Sequence, residues 1–130
     1  MAMKPRALGQ LELAVLKAVW ERPGSTVQEL ADIMSTRRPC ARTTILTVVQ
    51  RLHAKGFLKR RKVKGVFRFT PTRERRTVLS RLVSQFVDTV LDGSPAPFLT
   101  YLADTRRLTE RQLSELREIL GQMGDKEKEG

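Results

Sequence analysis

The chain has 130 residues, 40% of them apolar and 30% charged, and a net charge of +11. That gives room for one ordinary domain or two small lobes, with the composition of a folded protein rather than a disordered one. No apolar run approaches the ~20 residues that span a bilayer, the N-terminal MAMKPRALGQ lacks the apolar stretch of a secretory signal, and one cysteine and one histidine exclude a disulfide framework and most His/Cys metal sites. A cytoplasmic location, no metal, no cofactor and no membrane insertion are expected.

The charge is unevenly spread. Residues 1–32 carry four basic and four acidic groups, and residues 74–130 carry nine basic and ten acidic. Residues 33–73 carry twelve basic groups and no acidic one, so the whole excess lies in a single stretch. Solubility alone does not exclude every Asp and Glu from 41 residues. The stretch reads as a surface for a polyanion, and nucleic acid is the common one.

The first predicted element is a helix over 8–21. Leu8, Leu11, Val15, Ala18 and Val19 recur at helical spacing, and Leu13, Leu16 and Trp20 widen the stripe. Pro23-Gly24 ends it. A second helix follows Ser25-Thr26, with Glu29 at capping-box spacing from Thr26 and an apolar face of Val27, Leu30, Ala31 and Met34. Pro39 breaks the chain before a third helix, from about Ala41 to Lys55. Ile45, Val48, Val49 and Leu52 form its core stripe. The opposite face holds Thr43, Thr47, Gln50 and Ala54, with Leu46, Thr44 and Arg51 on the flanks and Arg42 at the entry.

Gly56 closes the third helix. Phe57-Leu58 and Val63, then Val66, Phe67 and Phe69, suit two short strands turning at Lys64-Gly65, and Pro71 ends the second. Three helices and a basic hairpin are the order of a winged helix-turn-helix, so the expected fold is mainly α. Beyond it, Val78 to Leu91 form a long helix that stops at Gly93-Ser94-Pro95. Phe98 to Leu102 form a short helical segment. A last helix starts at Leu108-Thr109, where Thr109 and Gln112 have capping-box spacing. The expected division is 1–73 for nucleic-acid binding, 74–124 for self-association and 125–130 as a flexible tail.

Reading DNA in the major groove needs short polar side chains near the start of a helix and cations for the phosphates. Arg42, Thr43, Thr44, Thr47 and Gln50 are the candidate base contacts. Arg37, Arg38, Arg51 and Lys55 around the helix, and Arg60, Lys62, Lys64 and Arg68 in the hairpin, are the candidate phosphate contacts. Helix-start chemistry is the competing reading, because threonine caps well; it stands level with DNA contact for Thr44 and behind it for Thr43 and Thr47. Ala41 sits where a capping serine is expected, which leaves N–H groups for a phosphate or for water. Cys40 reads as packing, and His53 lacks partners for a metal. Catalysis requires a nucleophile–base pair or clustered carboxylates, and neither is visible, so no enzyme is expected.

The long helix carries more apolar surface than a small lobe covers. Leu79, Leu82, Val83, Phe86, Val87 and Val90, with Leu113, Leu116 and Leu120 of the last helix, are therefore the candidate faces of a homodimer. The alternative is that Phe98–Leu102 and Leu113–Met123 cover that helix within one chain.

Nearly the whole chain, from Leu8 to about Leu120, resembles the penicillinase-repressor family, BlaI/MecI, with its copper-responsive relative CopY. The resemblance is carried by LGQLELAVLKAVW, STVQELADIM, ARTTILTVVQRLHAKGFL, the hairpin through Phe69-Thr70-Pro71 and RLTERQLSELREIL. It implies a repressor that binds dyad-symmetric double-stranded operators as a homodimer, with Thr43, Thr44 and Thr47 on the reading positions. In the β-lactam-responsive branch it further implies release by a membrane-bound sensor metalloprotease. The labile bond of that branch falls here within 98–104, at Thr100, Tyr101 or Leu102, without the Asn-Phe pair of some members. The paired cysteines of the copper branch are missing. Two other readings remain: a winged-helix regulator released by a bound small ligand, and a non-specific architectural DNA-binding protein. An RNA-binding module is disfavoured, because the aromatic residues sit mostly in apolar patterns and leave no stacking platform.

Overall fold

The computed structural model describes residues 8–129, without the side chains of Thr105 and of 125–129. Two compact units divide the chain between Arg81 and Leu82.

The first unit is built on three helices, α1 (Gln10–Glu21), α2 (Val27–Ser35) and α3 (Arg42–Ala54). α3 buries the whole stripe its sequence marks, Ile45, Val48, Val49 and Leu52. Of the stripe marked for the first helix, Val15, Leu16, Ala18 and Val19 are buried and Leu8, Leu11, Leu13 and Trp20 half-buried; α2 buries Leu30 and Met34 and leaves Val27 and Ala31 half-buried. The start of α2 is fixed by a full capping box. The Glu29 N–H donates to Thr26 Oγ1 at 3.1 Å, and the Thr26 N–H donates to Glu29 Oε1 at 3.3 Å. α3 starts at Ala41 with no side-chain cap, as its sequence requires.

A hairpin of β1 (Leu58–Val63) and β2 (Val66–Pro71) follows. Lys64 and Gly65 both have positive φ, 50° and 82°, the pair of values a two-residue hairpin turn demands. The antiparallel register sets Leu58 opposite Pro71, Arg60 opposite Phe69 and Lys62 opposite Phe67. Leu58 and Phe69 are buried. The hairpin is joined to the helices by an isolated bridge. The Gly24 N–H donates to the Phe69 carbonyl at 2.8 Å, and the Phe69 N–H donates to that of Ser25 at 2.9 Å.

Beyond the hairpin, α4 (Arg75–Thr89) begins within the first unit, where Val78 is buried. The division at 81–82 thus falls eight residues later than the change of charge suggests, because the start of α4 packs with the first unit. In the second unit α4 ends at Thr89, and Asp92 and Gly93 in the turn that follows both have positive φ. Then come α5 (Ala96–Ala103), a 3₁₀ turn (Thr105–Arg107) and α6 (Glu110–Glu129). The Gln112 N–H donates to Thr109 Oγ1 at 3.1 Å and the Thr109 N–H donates to Gln112 Oε1 at 3.0 Å, the expected capping box. Over the expected flexible tail, 125–130, the backbone of 125–129 continues α6, and Gly130 lies outside the described residues. Among the described residues of the second unit none is buried. Its closest ring pair is Phe86 and Phe98, with centroids 5.5 Å apart.

The Glu29 carboxyl is held below the usual carboxylate range, first by the Thr26 N–H and then by the Thr26 hydroxyl and the Arg68 and Arg22 guanidinium groups, against a desolvation effect that opposes them. A carboxylate depressed in the folded state contributes stability above its unfolded value, and that contribution is lost as pH falls through the folded value. Thermal melts between pH 3 and 6 are therefore expected to fall less steeply toward acid for Glu29→Gln, whose amide keeps the cap without titrating, than for wild type. Thr26→Ala is expected to cost about 1 kcal/mol at neutral pH, a fall of about 4–8 °C in the Tm of the first unit.

Candidate nucleic-acid interface

The outward face of α3 is the one its periodicity marks. Arg42, Thr43, Thr44, Thr47, Gln50 and Arg51 are all exposed. Thr47 Oγ1 donates to the Thr43 carbonyl at 3.0 Å. This bond turns the hydroxyl proton inward and leaves an acceptor oxygen and a methyl group outward. Such a pair suits the amino group of adenine or cytosine and the methyl group of thymine.

The hairpin's register decides where its cations point. Residues directly opposite share a face of the ribbon. Burying Leu58 and Phe69 therefore sends Arg60, Lys62 and Phe67 out from that same face. The Arg60 guanidinium lies 4.5 Å from the centre of the Phe67 ring and the Lys62 ammonium 5.7 Å. Ring and cation attract at these distances, so the two side chains are held at the hairpin surface. Lys64 is at the turn and exposed.

A cleft of about 630 Å³ lies between α3, the start of α2 and the hairpin, lined among others by Arg42, Leu46, Gln50, Arg60, Val66 and Phe67. The sequence marks Leu46 only as a flank and Val66 and Phe67 only as strand residues. Their exposure (42%, 50% and 40%) follows from how the hairpin meets α3, which no local pattern encodes.

Three of the eight candidate phosphate cations are occupied within the protein. Lys55 Nζ lies 2.6 Å from Glu12 Oε2 and 2.9 Å from Oε1, with both side chains mostly buried. Lys55 thus faces Glu12 of α1 rather than open solvent. Arg37 pairs with Glu21 at 2.6 Å and holds the Glu21 carboxyl below the usual range by that hydrogen bond. Arg68 donates to the Gly24 carbonyl at 2.9 Å and to Glu29 Oε1 at 3.1 Å. Both remain about half exposed, and each ties two segments together. Arg38, Arg51, Arg60, Lys62 and Lys64 are exposed and have no carboxylate partner among the described residues.

Of the candidate cleavage residues, Thr100 and Tyr101 are exposed and Leu102 half-buried, and all three lie inside α5. Of the candidate dimer residues, Leu79 is half-buried in the first unit. In the second unit Val83, Phe86, Val90 and Leu120 are exposed, and Leu82, Val87, Leu113 and Leu116 half-buried. Cys40 is a half-buried free thiol. Among the described residues no group of His, Cys, Asp and Glu could hold a metal ion, and no helix is long and apolar enough to cross a membrane.

Comparison with known proteins gives a consistent result. The family profile described as penicillinase repressor matches residues 8–122. The methicillin resistance regulatory protein MecI of Mammaliicoccus sciuri is 22% identical over 117 residues, 90% of this chain and 95% of its own length. The transcriptional regulator BlaI of Mycobacterium tuberculosis is 34% identical over 77 residues, 58% of this chain and 56% of its own. A MarR family protein from Bacillus stearothermophilus has a similar fold, with a TM-score of 0.53 and 14% identity over 95% of this chain and 77% of that one.

Replacing Lys62 and Lys64 together with Ala is expected to reduce the slope of log affinity for duplex DNA against log salt by about 2, one counterion for each phosphate lost. Lys55→Ala is expected to leave that slope unchanged and to lower thermal stability, because it strands Glu12. Titrations at four salt concentrations and melting curves on both variants provide the check.

Proposed function

The chain belongs to the penicillinase repressor family, and from that premise we propose that it represses transcription as a homodimer seated on a two-fold symmetric operator. Family membership makes it a DNA-binding transcriptional repressor; in our reading it acts by occupying DNA, without chemistry of its own. The dimer, the symmetry of the operator and the mode of release are what the proposal adds.

One observation carries the dimer. The second unit has no buried residue among those described, while Val83, Phe86, Val90, Leu99, Ile119, Leu120 and Met123 are each more than 40% exposed. A helical segment gains most of its stability by packing an apolar face, and among the described residues of this unit the apolar faces are at most half covered. A second copy supplies the cover, and a two-fold axis matches each patch to itself. The alternative in which α5 and α6 cover α4 within one chain leaves these side chains unexplained.

Two protomers set two α3 helices in successive major grooves, about 34–36 Å apart, and the hairpin cations rest on the flanking phosphates. We place the protein where its operator lies, in the cytoplasm. Release then means losing the link between two half-sites, since each lobe alone binds far more weakly. A sensor metalloprotease acting near Thr100, Tyr101 or Leu102 would have that effect. Because these bonds lie within α5, the helix must open before a protease can take an extended strand, and a helix with no buried residue opens readily.

Two experiments test the proposal. Selection from a random duplex pool is expected to return a dyad consensus; an asymmetric consensus counts against the dimer, and no enrichment supports an architectural role. Val83→Asp is expected to give a monomer in sedimentation and to weaken binding to the paired half-sites by about 10²–10⁴-fold, leaving binding to a single half-site unchanged. A dimer that survives both Val83→Asp and Val90→Asp would place the interface elsewhere.

A further inference from the structure

Leu46 is an apolar side chain on the exposed side of α3, 42% accessible, among Arg42, Thr43, Thr47 and Gln50. A single exposed leucine carries little meaning. This one shares the cleft between α3 and the hairpin with Val66 and Phe67, which are equally exposed, and with Arg42, Gln50 and Arg60. Arg42 and Gln50 stand one turn before and one turn after Leu46, on the same flank. None of the residues lining the cleft is acidic. The site thus combines an apolar floor, the cations Arg42 and Arg60, and two amides, Gln28 and Gln50.

An occupant must offer apolar carbon beside negative charge. Duplex DNA does so at one kind of base edge: thymine alone presents a methyl group in the major groove, within reach of the strand's phosphates. Building on the operator binding proposed above, we propose that Leu46 is a base-reading residue that packs on the methyl group of a thymine, while Arg42 and Arg60 hold phosphates of the strand lying in the cleft. Gln50 lies four residues further along, about 6 Å on the helix axis. The thymine therefore falls within about two base pairs of the position that Gln50 reads. The hydroxyl–methyl face of Thr47 extends the same surface.

The test uses the full chain and a selected operator in which each thymine is replaced, one at a time, by deoxyuridine. That change removes only the methyl group. Wild type is expected to bind about fourfold more weakly at one thymine of each half-site, the value of one buried methyl group. Leu46→Ala is expected to bind the unmodified operator more weakly and to show no further loss at that thymine, while its losses at other positions match wild type. Leu46→Met, which keeps apolar bulk, is expected to retain the discrimination. The proposal is overturned if deoxyuridine costs both proteins the same at every position, or if Leu46→Ala weakens all duplexes equally. It is also overturned if the apolar anion 1-anilinonaphthalene-8-sulfonate fills the cleft in a Leu46-dependent way while thymine discrimination persists in the variant. Unchanged melting of Leu46→Ala separates these outcomes from misfolding. A pool that yields no preferred duplex removes the operator reading itself, whereas a preferred duplex without coupling removes only the role of Leu46.

Discussion

The docking of Phe69 against the helices is the constraint on which the interface depends. A two-stranded hairpin is at best marginally stable alone, and this one sets Arg61 opposite Arg68, a like-charged pair. What holds it is the buried ring of Phe69, the paired hydrogen bonds with Gly24 and Ser25, and the reach of Arg68 to Glu29. The same burial fixes the register. A slip by one residue would expose Phe69 and turn Arg60 and Lys62 to the other face. The apolar requirement and the direction of the cations are therefore one condition. Glu29 serves it twice, since it completes the cap of α2 and receives Arg68.

Electrostatics in space differs from electrostatics in sequence. The stretch 33–73 contains no acidic residue, so every cation in it reads as available. The fold brings three carboxylates from the first 32 residues against it: Glu12 to Lys55, Glu21 to Arg37 and Glu29 to Arg68. These pairs lie where helices and hairpin meet. The cations without a carboxylate partner among the described residues lie at the start and outer face of α3 and along the hairpin. The balanced N-terminal segment thus neutralises the joints of the first unit and leaves its outward side positive.

Elements that rest on local rules were legible in the sequence. The apolar stripes of α1, α2 and α3, both capping boxes and the Lys64-Gly65 turn all depend on residues within one turn of each other. The outward face of α3 follows from the same periodicity. Pairings across long separations were not legible. Ser25-Thr26 reads as a helix start, and nothing nearby shows that Ser25 also bridges to Phe69. Lys55 reads as one more cation, because Glu12 lies 43 residues earlier. The expected boundary after residue 73 marks a change in charge, whereas packing continues until Val78 is buried. Leu46, Val66 and Phe67 form one surface only after the hairpin is laid beside α3.

The two units differ in how they are held, and the difference bears on regulation. The first is closed around its own core. The second has apolar faces but nothing buried among its described residues, so its order is tied to what covers it. In the proposed dimer, folding of the second unit and association are a single equilibrium. An event that opens α5 then removes both at once. The first units survive it intact but unlinked, and each binds a half-site with only its own affinity. In the proposed dimer, reading and release reside in different parts of the chain: base reading belongs to the first unit, and the tightness of the pair to a linkage whose loss frees the DNA.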